Sequence, residues 1–320
     1  MIPQKPRSAL GKKAPPFAEG DATAIKLNGK LVAVSNLNKV LYPKAGFTKG
    51  QIIDYYIRIS PVLLPHLKGR PLTLKRYPNG VEKPFFYEKR CPSHRPDWVD
   101  TAKVWSKENQ EHIEFCVLND LPSLVWAANL ADLELHTGLA RGRSILCPTM
   151  VVFDLDPGAP ADIIQCAEVA LALKELLDEM KLESLVKTSG SKGLQVCVPL
   201  NSSTTYETTK PFARMLAETL ERRNPGLVVS KMAKNLRSGK VFIDWSQNDS
   251  HKTTVCVYSL RARERPTVST PVTWDEVRSA LKNKDAGRLS FVSDDLLKRV
   301  EEQGDLFEPV LKLKQKLPAA

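Results

Sequence analysis

The sequence predicts a mixed α+β protein, on three observations. Apolar stretches with a period of two and stretches with a period of three to four are interspersed along the chain. They follow no regular strand–helix–strand repeat, which argues against a doubly wound parallel sheet. No internal repeat or long low-complexity linker divides the 320 residues, enough for one large domain or two lobes.

The segment 1–20 is rich in Pro, Lys and Ala and lacks the apolar centre of a secretory signal, so it reads as a loose arm. Thr48-Lys49-Gly50-Gln51 is a capping box. Ile52, Tyr55, Tyr56 and Ile59 follow at helical spacing, and Pro61 is expected to stop that helix. Leu72 to Arg76 alternates as a strand does; Tyr77-Pro78-Asn79-Gly80 is a turn, and Pro84 to Tyr87 returns. His112 to Leu118 and Leu133 to His136 read as strands, with a short buried helix over Pro122 to Leu130 between them. Val151 to Leu155 is a buried strand that Pro157-Gly158 ends, and Ile163 to Met180 is an amphipathic helix. Leu185 to Thr188 and Leu194 to Leu200 are strands around a Gly-rich loop. A helix over Tyr206 to Arg222 follows, then strands over Val241 to Trp245 and Thr254 to Leu260. Two last helices begin near Thr273, where Glu276 completes a capping box, and near Ser293.

Lys+Arg number 47 against Asp+Glu 36, a net charge of +11 that favours a polyanionic partner, nucleic acid first. No apolar run approaches a membrane span, so no membrane partner is expected. Cys91, Cys116, Cys147, Cys166, Cys197 and Cys256 show no C-x-x-C spacing. They read as reduced, mostly buried residues of a cytosolic protein.

The chemistry centres on Asp154 and Asp156. Alternation along a strand turns both carboxylates to one face, at the mouth beside Pro157. Two neighbouring acids repel unless a cation lies between them, and a hard divalent ion suits oxygen ligands. Taken alone, the pair reads equally as a solvated strand end. Thr188-Ser189-Gly190-Ser191-Lys192-Gly193 lets backbone and hydroxyls approach a phosphate, with Lys192 for charge. In isolation that loop is better read as a hairpin turn, and it lacks Walker A spacing. Asp244 is a lone acid in a second apolar strand, either a paired core carboxylate or a third metal ligand of a two-metal site. Basic clusters (Lys231, Lys234, Arg237 and Lys240; Arg261, Arg263 and Arg265) flank these strands. Lys75-Arg76 with Phe85-Phe86-Tyr87 interleaves cations and aromatics as single-strand binders do.

Together, the blocks around Asn38–Pro43, Thr48–Gly50, Lys75–Gly80, Phe85–Lys89, Val152–Pro157, Thr188–Leu194, Lys240–Asn248 and Tyr258–Arg261 resemble the polymerase module of bacterial DNA ligase D. That module is a member of the archaeo-eukaryotic primase superfamily. The resemblance runs in order from Asn36 to Phe307. It implies two mixed or antiparallel sheets flanked by helices, one lobe being an RRM-like catalytic core, in a single domain over 21–310 with a tail over 311–320. It implies two ions, Mn²⁺ or Mg²⁺, held by Asp154, Asp156 and Asp244. It further implies that His136, Ser189, Lys192, Gln195, Arg237, Gln247 and Arg261 hold an NTP or dNTP. By the same resemblance Lys39 and Lys49 hold the 5′-phosphate of a gap or break, and Phe85, Phe86 and Tyr87, with Arg76, meet the DNA.

The implied activity is addition of ribo- or deoxynucleotides to a primer 3′-OH in non-homologous end joining. The implied setting is the bacterial cytoplasm and nucleoid, with a Ku-type end binder and a DNA ligase as partners. The family usually has His at Gln195; His can become cationic and Gln cannot. Gln195→His is therefore expected to raise triphosphate affinity in a nucleotide-binding titration. The chain has no nucleotidyl-ligase lysine motif and no room for ligase or phosphoesterase modules, as expected of a stand-alone polymerase or a portion of a larger protein. The competing readings are a haloacid-dehalogenase-like phosphatase, from the Asp-x-Asp strand, and a non-catalytic DNA-end scaffold.

Overall fold

The structure, a computed structural model, describes residues 23–106 and 109–318; the expected N-terminal arm lies outside them. Two six-stranded sheets form its centre. The first runs Val228–Val229, Val241–Asp244, Met150–Pro157, Leu194–Pro199, Leu185–Thr188, Pro271–Val272. It is antiparallel except for the parallel pairing of its first two strands. The second runs Thr254–Val255, Asp132–Thr137, Leu72–Arg76, Glu111–Val117, Asp100–Ser106, with Phe86–Glu88 also paired to Leu72–Arg76.

Strand alternation divides the first sheet into two faces with different partners. Val151, Phe153 and Leu155, with Val196 and Ile243, pack beneath the helices Ile163–Glu179 and Tyr206–Arg223, through Leu173, Leu177, Phe212 and Leu216. The opposite face changes character along the strand. Val152 and Cys197 join the core of the second lobe, whereas Asp154 and Asp156 stand further along the same face. That second core is built by the helices Lys49–Leu67 and Leu121–Asn129 against Leu72, Leu74, Leu133 and Leu135. The two sheets are thus joined by apolar contact at depth and open into a polar cleft at one end.

The helix begun by the Thr48–Gln51 capping box does not stop at Pro61; it continues to Leu67 through Pro61 and Pro65. A proline inside a helix leaves the carbonyl four residues earlier without its amide donor. Here the Ser60 hydroxyl donates to Ile57 O at 2.8 Å, replacing the bond that Pro61 cannot make. The expected strand over Thr254 to Leu260 is also broken. Only Thr254–Val255 pairs with the second sheet, and Tyr258 takes φ 66°, turning the chain into the hairpin Leu260–Ala262/Pro266–Val268. The hairpin Thr23–Leu27/Lys30–Val34 and the edge strand Asp100–Ser106 had no sequence reading. Both are short or half-exposed, so their apolar period is weak.

The reading of six reduced cysteines is corrected: Cys91 and Cys116 form a disulfide. Their separation of 25 residues carries no motif, and sheet geometry makes the pair. The Cys91 N–H donates to Glu114 O at 2.7 Å, which docks its segment on the strand that bears Cys116. The C-terminal segment is tied down as well. Gln315 hydrogen-bonds Glu183, Pro199 and Leu200, and Asn201 Nδ2 donates to Val310 O and Leu313 O. Among the described residues no helix is long and apolar enough to cross a membrane.

Candidate active site

Antiparallel register sets one polar row across the first sheet. Asp244 pairs with Asp154, Asp154 with Gln195, and Gln195 with Lys187. Cross-strand partners share a face, so these four side chains emerge side by side, with Asp156 two residues along. Burial and the charge of Asp156 push the Asp154 carboxyl up to about 6; Gln195 pulls it back and Asp244 raises it further. Asp156 is likewise raised by burial and by Asp244, against the downward pull of Arg237. Repulsion between carboxylates that burial cannot relieve is the electrostatic signature of a site suited to cations.

The cleft at this row has a volume of about 430 Å³. Asp154, Asp156, Ser189, Gln195 and Gln247 line it from the first sheet and its loops; Tyr87, His136 and Arg261 line it from the second lobe. Sequence reading missed Thr73, Lys89, His251, Lys252, Thr253 and Thr254, which also line it. His251 and Lys252 sit in a polar loop without periodicity, where only their charge was a signal.

Several predicted residues are held in place by named contacts. Ser189 Oγ accepts from the N–H groups of Ser191 and Gly193, both at 3.2 Å, and so shapes the loop. Gly193 is required there: a Cβ would lie 1.9 Å from Leu155 O. Arg261 donates from Nη1 to Ser189 O at 2.6 Å, spanning the cleft between the lobes. Gln195 donates to Thr254 Oγ1 at 2.8 Å, while its buried Oε1 has no hydrogen-bond partner. Gln247 donates from Nε2 to Asp244 Oδ2 at 3.0 Å. Arg237 covers the Phe242 ring at 3.7 Å, and Phe242 pairs with Asp156. Lys192 is exposed and lines an adjoining cavity of about 390 Å³.

A second group gathers beside the cleft. Lys49 opens its helix almost fully buried, and its N–H donates to Lys39 O at 2.9 Å. Burial, with Lys39 and Arg76 nearby, lowers the Lys49 ammonium to about 8. A half-buried ammonium beside two further cations makes a site for an anion. Arg76 is paired with Glu88 at 2.8 Å and lies over the Phe86 ring at 5.2 Å. Phe85, Phe86 and Tyr87 are 47%, 44% and 57% exposed, unusual for three consecutive aromatics and available for stacking.

Among the described residues no three His, Cys, Asp or Glu side chains converge as an ion-holding group. Asp244 explains part of this: its Oδ1 accepts from Ser246 N and Oγ, and its Oδ2 from Gln247. The donor set nevertheless fits a hard divalent ion. It offers carboxylates from two adjacent strands, Asp154 raised by burial, Asp156 and Asp244, and Asp156 raised by burial and Asp244.

A solved structure described as the polymerase domain from Mycobacterium tuberculosis ligase D in complex with DNA is similar at TM-score 0.81 and 38% identity, covering 89% of this chain and 99% of that one. The fold is thus that of a primase-polymerase domain, a nucleotidyltransferase class. Residues 48–307 match the family described as LigD, primase-polymerase domain. The chain belongs to that family. It is 40% identical over 285 residues to the multifunctional non-homologous end joining protein LigD of Mycolicibacterium smegmatis, covering 87% of this chain and 36% of that protein. It is 35% identical over 271 residues to the bifunctional LigD of Bacillus subtilis, covering 84% and 42%. The chain therefore spans well under half the length of these curated relatives.

Proposed function

We propose that this chain adds ribo- or deoxynucleotides to a primer 3′-OH at DNA gaps and break ends during non-homologous end joining, as one domain over 21–310. The observation that carries the reading is the register that sets Asp244 directly opposite Asp154, beside a cleft that Asp154 and Asp156 line together with His136 and Arg261. Asp154, Asp156 and Asp244 are the residues to hold Mn²⁺ or Mg²⁺. When bound, such ions lower the pKa of the attacking hydroxyl and stabilise the charge on the leaving pyrophosphate.

The remaining steps belong to the protein. His136, Gln195, Gln247 and Arg261 bind the incoming nucleotide from opposite walls of the cleft, with Ser189, Lys192 and Arg237 on its triphosphate side. Arg261 and Lys192 offset phosphate charge, and Ser189 fixes the loop that presents Lys192. The Lys39–Lys49–Arg76 group takes the 5′-phosphate of the downstream strand, because an anion offsets the burial and like-charge repulsion that destabilise the Lys49 ammonium. Phe85, Phe86 and Tyr87 stack on template bases. The similar mycobacterial domain was solved with DNA, which supports a DNA partner here. A Ku-type end binder and a ligase complete the pathway.

Primer extension on a 5′-phosphorylated gapped duplex, with NTPs or dNTPs and Mn²⁺ or Mg²⁺, tests this. Extension that disappears in Asp154→Ala is the expected result. DNA binding without extension in the unaltered chain would instead support an end-binding scaffold. Hydrolysis of small phosphomonoesters without DNA would support a phosphatase, a reading that family membership does not favour.

A further inference from the structure

Glu134 lies in the strand Asp132–Thr137 at 1% exposure, behind the cleft wall. Its Oε2 receives His136 Nε2 at 2.9 Å and Lys75 Nζ at 3.1 Å, and lies 3.3 Å from Arg261 Nε. Its Oε1 accepts from Tyr77 OH at 3.3 Å and from the Ala262 N–H at 3.0 Å. A carboxylate offers about four lone-pair directions, so these donors saturate it. Glu134 has nothing left for a ligand and can act only through its neighbours.

Those neighbours face two binding surfaces. His136 and Arg261 line the cleft, and Arg261 also reaches Ser189 O on the opposite sheet. Lys75 lies over the rings of Phe85 at 4.6 Å, Tyr77 at 5.4 Å and Tyr87 at 5.5 Å. Tyr87 in turn stands edge-on to His136 at 6.2 Å.

Resting on the nucleotidyl-transfer reading, we propose that Glu134 is a positioning residue that orients His136 and Arg261 toward the incoming nucleotide. Buried ion networks add little net stability, so the consequence of this one is orientation. Burial alone would raise the Glu134 carboxyl, but the His136 hydrogen bond and the charges of Arg261, His136 and Lys75 hold it well below the usual carboxylate range. It therefore stays ionised and keeps the His136 Nε2 proton pointed at itself, leaving Nδ1 as the free ring nitrogen.

The test uses Glu134→Gln, which keeps the shape and removes the charge. Titration with a fluorescent nucleoside triphosphate and Mn²⁺ is expected to show affinity about tenfold weaker. Affinity for the 5′-phosphorylated gapped duplex is expected to stay within about twofold. In a His136→Ala/Arg261→Ala background, Glu134→Gln is expected to add less than about twofold. Unchanged nucleotide affinity, equal loss for nucleotide and duplex, or the full penalty persisting in that background would each overturn the proposal.

Should Glu134→Gln fail to fold, ¹⁵N NMR of the histidines in the unaltered chain decides. A His136 protonated on Nε2, or on both nitrogens, is expected; a neutral Nδ1–H tautomer overturns it. If the unaltered chain neither binds nucleotide nor extends primers, the parent reading falls too. An active chain indifferent to Glu134→Gln removes this inference alone.

Discussion

At the residue scale the decisive feature is a carboxylate held where it is electrostatically unwelcome. Asp154, raised to about 6, binds a proton more readily in the folded chain than in the unfolded one. Its contribution to stability is thus greatest at low pH and falls as pH rises through the interval from the ordinary carboxylate value to about 6. Asp154→Asn removes that penalty while removing a proposed metal ligand. The expected outcome is a higher metal-free melting temperature at pH 7 and a melting profile less sensitive to pH between 4 and 6. Primer extension in the same variant is expected to fall about 10²-fold or more. Thermal melts across that pH range and a gap-filling assay check both halves; a lower melting temperature would mean that the repulsion is not the dominant local energy. Asp154 and Asp156 were legible in sequence because alternation is a local property. Glu134 was not: among charged residues of a strand nothing local reveals how many donors the fold will bring to it.

At the element scale two local devices position the site. The Lys49–Leu67 helix survives Pro61 because Ser60 supplies the missing donor to Ile57 O. Ser60→Ala is expected to leave that part-buried carbonyl without its hydroxyl donor and cost about 1 kcal/mol, read by urea denaturation. An unaffected midpoint would mean that water or a bend compensates. The second device is the approach of Gly193 to Leu155 O, which locks the Ser189–Gly193 loop onto the Asp-x-Asp strand. A methyl there clashes with backbone, so something must move. Gly193→Ala is expected to weaken nucleotide binding about tenfold and to lower stability by about 1–3 kcal/mol. Nucleotide titration and denaturation measure the two together. The strands and capping boxes here were readable from period and composition, but the extent of the helix past Pro61 was not, because it depends on one hydroxyl finding one carbonyl.

At the scale of the whole molecule the seam between the sheets carries a buried cation. Lys187 ends the polar row and crosses the seam, donating to Val255 O at 3.2 Å and Ser269 Oγ at 2.7 Å. Burial lowers its ammonium to about 8. Folding below that pH must bury a charge. Between about 8 and the ordinary lysine value the unfolded chain holds a proton that the folded chain has released, so stability from this group rises with pH. The free-energy difference between the unaltered chain and Lys187→Met is expected to shift across that window in favour of the unaltered chain, at no more than about 1.4 kcal/mol per pH unit. Denaturant unfolding at pH 7, 8, 9 and 10 measures it, and a flat difference would place the lysine in a wetter seam than described.

The sequence by itself determined the α+β class, most strands and helices, the Asp-x-Asp strand and the family. These follow from side-chain period, turn chemistry and ordered blocks, all short-range along the chain. Only the tertiary structure decided which acid faces which, since the Asp154–Asp244 pairing is a matter of register between strands 90 residues apart. It also decided that Cys91 meets Cys116, that Tyr258 turns the chain out of the second sheet, and that one buried carboxylate gathers His136, Lys75 and Arg261. Each depends on contacts between segments distant in sequence, and residue spacing carries no record of them.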